Sequence, residues 1–307
     1  MMTPLSEQIL TDWQVRKTKK QKTAFIEWMQ SQIPGLQVEQ GGFGNNRNLV
    51  LGDVKSAKVL LTAHYDTCAR LPFPNFLPPK NIPLYIGYSL LICIPFGIFA
   101  FLLNFVLGFL TESFFISYWG TFLPTMALLF YLLMGGKPNP HTANDNTSGV
   151  ITLCELIASM TEEERAQAAF VFFDNEENGL LGSAFFRKLH KKDGLEKKPL
   201  INFDCVSDGD HMLFVLSKPA MKAYGEAFAA AFPSTAEKTV YLEKSSNTMY
   251  PSDQANFPMG VGVAALRKKK LIGLYMDRIH TVKDTVFQEE NIVFFVEGTQ
   301  RLLQSIL

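Results

Sequence analysis

The sequence lacks an excess of charge of either sign, because 29 lysines and arginines balance 29 aspartates and glutamates in its 307 residues. A chain without net charge has no field that attracts a phosphate backbone, so we expect no nucleic-acid partner. An apolar leader is also lacking, since the N-terminal stretch is polar and contains Lys17, Lys19 and Lys20. We therefore expect no signal peptide.

Cysteine is scarce as well. Four cysteines occur, and no two of them have the Cys-x-x-Cys spacing of a redox or zinc motif. Each lies in an apolar or strand-like stretch, which favours buried free thiols over disulfides or metal ligands. This use of cysteine is typical of a reducing compartment. The four positions are Cys68, Cys93, Cys154 and Cys205.

Charged residues are missing altogether from two long apolar stretches, Ile82 to Leu110 and Phe114 to Met134, which only residues 111–113 separate. A helix of about 20 residues crosses the hydrocarbon core of a bilayer, and both stretches reach that length. We interpret them as a membrane hairpin. The alternative, an apolar lid or dimerisation arm on a soluble domain, would leave a free apolar surface that aggregates. The predicted domains are an inserted transmembrane hairpin at 82–134 and a globular domain formed by 1–80 and 136–307.

Charge next to the hairpin predicts its orientation. Arg70, Lys80 and Lys137 lie at its base, whereas Glu112 lies in its outer turn. Basic residues favour the cytoplasmic side of a membrane. We therefore expect a multi-pass protein of the cell membrane whose globular domain lies in the cytoplasm.

Outside the hairpin, short apolar runs alternate with segments of helical periodicity. The runs from Lys58 to Ala63, from Ala168 to Phe173 and from Leu200 to Phe203 are typical of buried strands. A single amphipathic helix is predicted over residues 6–33. This alternation predicts an α/β fold in which helices sandwich a mixed, mostly parallel central sheet.

Histidine and acidic residues follow these strands where each of them ends. His64 follows the first, Glu176 and Glu177 come soon after the second, and Asp204 follows the third. Sheets of this kind place their sites at the carboxyl ends of the strands. Imidazoles and carboxylates without a thiolate suit zinc, and two such ions bridged by a carboxylate form a known hydrolytic arrangement. Asp66 can fix the tautomer of the nearby histidine.

Five motifs occur in order along the chain. They are His64-x-Asp66, Asn144-Asp145-Asn146-x-Ser148-Gly149, Glu176-Glu177-x-Gly179-Leu180-x-Gly182-Ser183, Asn202-x-Asp204 and His280-Thr281-x-x-Asp284-Thr285. In this order and spacing they resemble the two-zinc aminopeptidases of peptidase clan MH, family M28. The resemblance covers roughly residues 15–80 and 136–307, which is everything except the hairpin.

The resemblance implies a two-zinc centre and a role for each ligand. One zinc ion would be held by His64 and Asp204, the other by Glu177 and His280, and Asp145 would bridge the two. Cobalt or manganese would suit the same ligands. The globular domain would then be a catalytic domain.

The resemblance also implies roles beside the metal ions. Glu176 would be the general base and later the acid, and Asp66 would support the first histidine. Ser252 and Asp253 would lie near the substrate pocket, in a segment that reads Ser-Asp-His in many relatives. Gln254 departs from that pattern, which leaves the substrate specificity open.

The function predicted on this basis is that of a membrane-anchored zinc exopeptidase that removes N-terminal residues from peptides. Because the hairpin follows the first ligand strand, the pocket is expected to face the bilayer, which would favour apolar peptides. Two alternatives stay open: a glutaminyl cyclase-like transferase with one zinc ion, and a non-catalytic receptor or scaffold on the same fold. The complete ligand set favours the peptidase. The preferred residue, the native metal, the oligomeric state and the physiological substrate stay open.

Overall fold

The computed structural model describes residues 2–306, so Met1 and Leu307, the two ends of the predicted catalytic domain, lie outside the described residues. Within that range nine strands form one sheet. The strands are β1 (Gln37–Gly41), β2 (Asn46–Leu51), β3 (Val59–His64), β4 (Ala168–Phe173), β5 (Leu200–Phe203), β6 (His211–Leu216), β7 (Thr239–Lys244), β8 (Gly260–Lys269) and β9 (Gly273–Tyr275). Their order is β1-β2-β4-β3-β5-β8-β6-β7, with β9 paired to β8.

The centre of the sheet is parallel. Strands β4, β3, β5 and β8 lie side by side in parallel pairs. All residues of β3 and β4 are buried, as expected of parallel strands that are covered on both faces. Antiparallel pairs occur toward the edges, where β2 joins β1 and β4, and β6 joins β8. The predicted mixed, mostly parallel sheet is confirmed.

Helices outside the insertion cover both faces of this sheet, and two further helices form the insertion itself. In chain order the helices are α1 (Pro4–Asp12), α2 (Lys19–Gln32), α3 (Ile82–Thr111), α4 (Phe114–Phe130), α5 (Gly149–Ser159), α6 (Glu162–Ala166), α7 (Leu181–Leu189), α8 (Lys218–Ala231) and α9 (Glu289–Ile306). Alternate residues of a strand point to opposite faces. Phe170 and Phe172 of β4 accordingly pack in the apolar cluster of α5 and α9, whereas Val171 and Phe173 pack with Phe186 of α7.

The single helix predicted over residues 6–33 is wrong, because the chain forms α1 and α2 with a break between them. Thr18 begins the second helix: its side chain accepts from the Gln21 N–H, and the Gln21 side chain accepts in return from the Thr18 N–H. Such a capping box supplies partners for N–H groups at a helix start. The break places Arg16, which is fully buried, beneath the end of β3.

The insertion forms a helical hairpin of α3 and α4, and α4 continues as a π-helical turn to Gly135. No residue of α3 is buried in the part of the chain that the structure describes, although α3 is strongly apolar. Both helices are long and apolar enough to cross a membrane, a test that rests on length and composition. Cys93 is exposed on α3, so the expectation of a buried thiol is wrong there; the other three cysteines are buried.

Candidate metal centre

The predicted ligands meet at the carboxyl ends of the parallel strands. His64 is the last residue of β3, and Asp204 directly follows β5. Glu177 lies in the loop between β4 and α7. Asp145 lies in the irregular turn before α5, and His280 lies in the loop after β9. The topology therefore brings five side chains from five separate segments to one edge of the sheet.

Asp145 lies between the two histidines. Its Oδ1 is 3.4 Å from His64 Nε2, and its Oδ2 is 2.9 Å from His280 Nε2. On the first side Asp204 Oδ1 is 3.6 Å from His64 Nε2, and on the second side Glu177 Oε2 is 3.6 Å from His280 Nε2. The five groups thus form two pairs with one shared carboxylate, which is the arrangement that a bridging ligand needs.

The turn that positions Asp145 is pinned by a second aspartate. The carboxylate of Asp284 accepts hydrogen bonds from the backbone N–H groups of Asn144, at 2.9 Å, and Asp145, at 3.0 Å. Burial, followed by repulsion from Asp145, raises the pKa of Asp284 to about 8. Asp284 thus supports the bridging residue through its backbone.

Asn146 ties the same turn to the neighbouring strand. Its Nδ2 donates to the carbonyl of Phe203 at 2.9 Å, and its Oδ1 accepts from the N–H groups of Gly149, at 3.0 Å, and Cys205, at 3.2 Å. The side chain is fully buried, and the peptide bond between Asp145 and Asn146 is cis. The turn is therefore held at both of its ends.

Asp66 positions the Glu-Glu loop as well as the first histidine. Its Oδ1 accepts from the Glu176 N–H at 3.0 Å, its Oδ2 accepts from the Glu177 N–H at 3.2 Å, and Oδ1 lies 3.6 Å from His64 Nδ1. Burial acts to raise the pKa of Asp66, but contact with His64 and the charge of Lys22 hold it below its usual value. Sequence reasoning predicted only the contact with the histidine.

The electrostatics of the centre suit a cation. Burial, opposed by the charge of His64 and reinforced by Glu177, raises the pKa of Glu176 well above its usual value. Burial raises the pKa of Glu177 to about 8, although His280 lowers it. The Oε1 atom of Glu177 is buried without a hydrogen-bond partner among the described residues. Buried carboxylates this close together fit a divalent ion that compensates their charge.

The same carboxylates also raise the pKa of the two histidines. Burial acts to lower the pKa of His280, but Glu177 and Asp145 outweigh it and raise the value to about 10. The pKa of His64 is raised well above its usual value in the same way, because Glu176 and Asp145 outweigh burial. Both rings therefore lie in a strongly negative environment.

Two buried cationic side chains near the centre, Lys22 and Arg16, were not predicted from the sequence. Lys22 Nζ is 2.6 Å from Asp174 Oδ1 and 2.8 Å from Asn175 Oδ1, and so holds the start of the Glu-Glu loop. Arg16 donates through Nε to the Tyr65 carbonyl at 2.5 Å. Burial lowers the pKa of Arg16 to about 10, against the attraction of Asp66. In the sequence both residues belong to a lysine- and arginine-rich stretch that is typical of a solvated surface.

Two cysteines also border the centre. The Cys68 thiol lies within 4.8 Å of ligand atoms of Glu177 and His280, and Cys205 Sγ lies 3.1 Å from Asp204 Oδ1. Burial, together with the nearby carboxylates, raises the pKa of both thiols well above the usual value. They are therefore protonated near neutral pH, whereas metals bind the thiolate.

The segment predicted to lie near the substrate lies beside the centre. Ser252 Oγ accepts from Asn202 Nδ2 at 3.0 Å, and Gln254 Oε1 accepts from the same amide at 3.1 Å. Asp253 is fully buried, and burial raises its pKa to about 7. The neighbouring residues Tyr250 and Pro251 line the cavity instead. Substrate binding by Ser252 and Asp253 stays a prediction.

A cavity of about 210 Å³ opens over the centre. Its lining includes five polar side chains, His64, Asp145, Glu176, Asp204 and His280. It also includes apolar and aromatic side chains, among them Leu77, Tyr85, Tyr250, Met276 and Ile279. The candidate ligands thus share one cavity with side chains that can receive an apolar group.

Comparison with protein families now places the chain. Residues 131–292, more than half of the sequence, match the family described as Peptidase family M28. The chain belongs to peptidase family M28. The resemblance found in the motifs is therefore confirmed, and membership of this family supports a zinc-dependent peptidase. A search of curated protein sequences found no match.

Solved structures share the fold of this M28 chain. The LapA aminopeptidase of Legionella pneumophila has a TM-score of 0.57 at 13% identity, with 98% of this chain and 67% of LapA covered. A glutaminyl cyclase from an Acidobacteriales bacterium has a TM-score of 0.55 at 14% identity, with 98% and 92% covered. BSAP, a zinc aminopeptidase from Bacillus subtilis, has a TM-score of 0.50 at 14% identity, with 85% and 49% covered. At these identities the likeness concerns the fold alone.

Proposed function

We propose that this M28 chain is a membrane-anchored aminopeptidase that hydrolyses the N-terminal peptide bond of peptides with two zinc ions and Glu176 as the general base. The observation that supports it best is the position of Asp145 between His64 and His280, with Glu176 on the wall of the same cavity. Membership of a peptidase family supports the reaction type.

The residues present fit two zinc ions. Imidazole nitrogens and carboxylate oxygens are ligands that zinc takes, and the buried, unpartnered Oε1 of Glu177 lacks a charge partner that a cation would supply. His64 and Asp204 would hold one ion, His280 and Glu177 the other, and Asp145 both. When bound, the ions supply Lewis-acid polarisation of a carbonyl and a more acidic water.

Glu176 accepts the proton of the attacking water and later donates it to the leaving amine. Its backbone N–H donates to Asp66, and the adjacent Glu177 faces His280, so the two neighbouring carboxylates are directed to different tasks. Burial favours the protonated form of Glu176, which is the form that the second step needs. The presence of Glu176 in the cavity lining next to the candidate ligands supports this role.

The proposal is tested by replacing Glu176 with Gln. General acid–base catalysis contributes about 10²–10⁴-fold, so hydrolysis of unblocked peptides should fall by at least about 100-fold. Zinc content measured by elemental analysis should stay at the wild-type level. The matched control is Glu177→Gln, which should lose zinc as well as activity. Unchanged hydrolysis in Glu176→Gln would refute the assignment.

Product analysis and zinc content of the wild-type protein distinguish the two alternative functions from the peptidase. A peptide with N-terminal glutamine that is converted to a cyclised product, with one zinc ion per chain, would identify a transferase instead. A protein that binds a peptide without either reaction, and folds equally well without metal, would identify a receptor. Both predicted ligand pairs are present in the structure, which favours the peptidase.

Membrane anchoring is proposed on the apolarity and exposure of the hairpin. Exposed apolar side chains cover α3 and α4, and lipid is the solvent that such a surface suits. Arg70, Lys80 and Lys137 at the base support a cytoplasmic catalytic domain, because basic residues favour that side of a membrane. In sealed, right-side-out vesicles the catalytic domain should resist added protease; digestion from outside would reverse the orientation.

A further inference from the structure

The hairpin and the segment that leads into it both contribute to the lining of the cavity over the metal centre. Residues 71–81, here called the lead-in segment, connect the catalytic domain to α3. Leu77 of this segment and Tyr85 in the first turn of α3 both line the cavity that contains His64 and His280. The hairpin therefore reaches the candidate active site directly.

The lead-in segment is paired with the loop that ends in His280. Leu77 and Met276 exchange two backbone hydrogen bonds, of 2.8 and 3.0 Å. Farther along, Asn75 Nδ2 donates to the Ile279 carbonyl at 3.1 Å, and the Leu71 N–H donates to the His280 carbonyl at 2.9 Å. The two segments run antiparallel, so the lead-in segment and the loop of the second histidine form one unit.

Aromatic packing joins this unit to the hairpin. The Phe76 ring lies between Tyr88 of α3, at 5.5 Å with edge-to-face geometry, and Tyr275 of β9, at 6.1 Å. The Tyr88 hydroxyl also donates to the carbonyl of Pro74. The position of Tyr85, one turn before Tyr88, is thereby fixed relative to the catalytic domain.

The chemistry of the cavity walls indicates what binds there. The lining combines the candidate metal ligands with the apolar and aromatic side chains of Leu77, Tyr85, Tyr250, Met276 and Ile279. A volume of about 210 Å³ is below the ~300–1,000 Å³ of sites for drug-sized ligands, so one side chain with its backbone is a fitting occupant.

We propose that the apolar part of this lining receives the first side chain of a peptide substrate, and that Leu77 of the lead-in segment and Tyr85 of the inserted hairpin select large apolar residues at that position. The proposal rests on the proposed aminopeptidase function and names its substrate class. Tyr85 would then be a specificity-determining residue, since it lines the cavity without belonging to the metal centre.

The lengths of the two helices place this pocket at the membrane surface. The apolar helix of 22 residues from Phe114 to Gly135 is about 33 Å long, close to the ~30 Å hydrocarbon core, whereas the 30 residues of α3 span about 45 Å. Both helices meet at the same outer turn. Because α3 is about 12 Å longer than the other helix, its first two turns, with Tyr85 and Tyr88, lie at headgroup level. Tyrosine is favoured there. Peptides bound at the membrane surface reach the pocket there.

The test compares substrate selectivity in the full-length protein in detergent. Peptides that differ only in the first residue, Leu, Phe, Ala or Gly, are assayed with wild type, Tyr85→Ala, Tyr85→Phe and Leu77→Ala. Loss of apolar contacts changes discrimination by about 10–200-fold, so Tyr85→Ala should lower kcat/KM for Leu and Phe at least about tenfold relative to Ala. Tyr85→Phe should keep the wild-type ratio, and Leu77→Ala should shift it in the same direction as Tyr85→Ala.

The matched control is Tyr118→Ala, which removes a tyrosine of the same hairpin near its outer turn. Its Leu-to-Ala ratio should equal that of wild type. An unchanged ratio in both Tyr85→Ala and Leu77→Ala, with wild-type hydrolysis and zinc content intact, overturns the inference and leaves the proposed function standing. A wild-type protein that hydrolyses no peptide overturns both.

Membrane presentation is the second measurement. The leucyl peptide is compared with the same peptide carrying an apolar C-terminal tail, with the protein reconstituted in phosphatidylcholine vesicles. The tailed peptide should be hydrolysed with the higher kcat/KM, and the advantage should vanish in detergent micelles that separate peptide from protein. Equal rates in vesicles overturn the placement of the pocket at the membrane surface.

Discussion

The catalytic domain and the hairpin differ in which side chains they bury. Polar groups are buried in the catalytic domain, whereas apolar groups are exposed on the hairpin. In the catalytic domain His64, Asp145 and Asn146 are almost completely buried, and each of them has a polar neighbour. In the hairpin Phe109 and Phe114 are more than four-fifths exposed. Apolar groups leave water in both regions, into a protein core in the first and, as we propose, into lipid in the second.

The glycines sharpen this comparison. A Cβ added at Gly182, in the first turn of α7, would lie 1.9 Å from the Asp174 carbonyl oxygen, whereas one added at Gly87 of α3 would have no neighbour within 4 Å. Backbone packs directly against backbone beside the Glu-Glu loop. At Gly87 the surface of the helix is instead open.

The largest expected effect follows from removing the hairpin. Replacing residues 82–134 by a short glycine-serine linker should move the protein from the membrane pellet to the soluble fraction, because the exposed apolar surface leaves with it. The catalytic domain should still bind zinc, since its strands and ligands lie outside the insertion. Ultracentrifugation after carbonate washing, with elemental analysis, measures both.

The same variant also tests the pocket. Its Leu-to-Ala selectivity should fall below that of wild type, because Tyr85 is removed with the helix. A hairpin-free protein that stays in the pellet, or a wild type that is soluble without detergent, would contradict the contrast between the two regions.

A smaller effect is expected from a pair of glycine substitutions. Gly182→Ala should destabilise the protein by about 2 kcal/mol or more, because backbone must move to admit the methyl group. Gly87→Ala is the control, and it should be neutral or stabilise by about 0.5–1 kcal/mol, as alanine does in an open helix position. Thermal unfolding in detergent compares the two. Equal melting temperatures would show that the Glu-Glu loop is not closely packed.

The smallest effect is pH-dependent and concerns His190 at the end of α7. Its Nε2 is 2.9 Å from Glu39 Oε1, and its Nδ1 is 2.7 Å from Asp193 Oδ2. Burial acts to lower the pKa of His190, but these two acids raise it above its usual value. A raised pKa means that the contribution to stability is complete below about pH 6.5, the unfolded value, and is lost as pH rises through the folded pKa.

His190→Gln should therefore lower Tm more near pH 6 than near pH 9. An ion pair at the surface contributes up to about 1 kcal/mol, so the difference should be about 1–4 °C. Each variant is compared with wild type at the same pH, which cancels the titration of the metal centre. A deficit that grows toward high pH would reverse the assigned sign.

Sequence reasoning succeeded where the local pattern is strong. The apolar run from Ala168 to Phe173 forms β4 with the bounds expected, and the family resemblance drawn from the motifs is confirmed by the match over residues 131–292. Sequence reasoning failed where contacts between residues far apart in the chain determine the local structure. The break at residues 13–18 is not visible in helical periodicity, and it occurs where Arg16 turns inward to the Tyr65 carbonyl.

The second role of Asp66 was equally hidden. Its carboxylate holds the backbone of residues more than a hundred positions away in the chain, a contact that no local pattern encodes. Likewise, nothing in the sequence pairs Leu77 with Met276. The identities of the candidate ligands are readable because each lies in a recognisable motif, whereas their supports come from segments without such a marker.

By itself the sequence determined the apolar hairpin, the buried strands and the residue types of the candidate metal centre, because periodicity and side-chain chemistry are local properties. Only the tertiary structure decided that Asp145 lies between His64 and His280, that Lys22 reaches Asp174, and that Tyr85 enters the cavity. These contacts join residues far apart in the chain. They form because the parallel sheet brings its strand ends to one edge, and the free energy of packing the whole domain determines that arrangement.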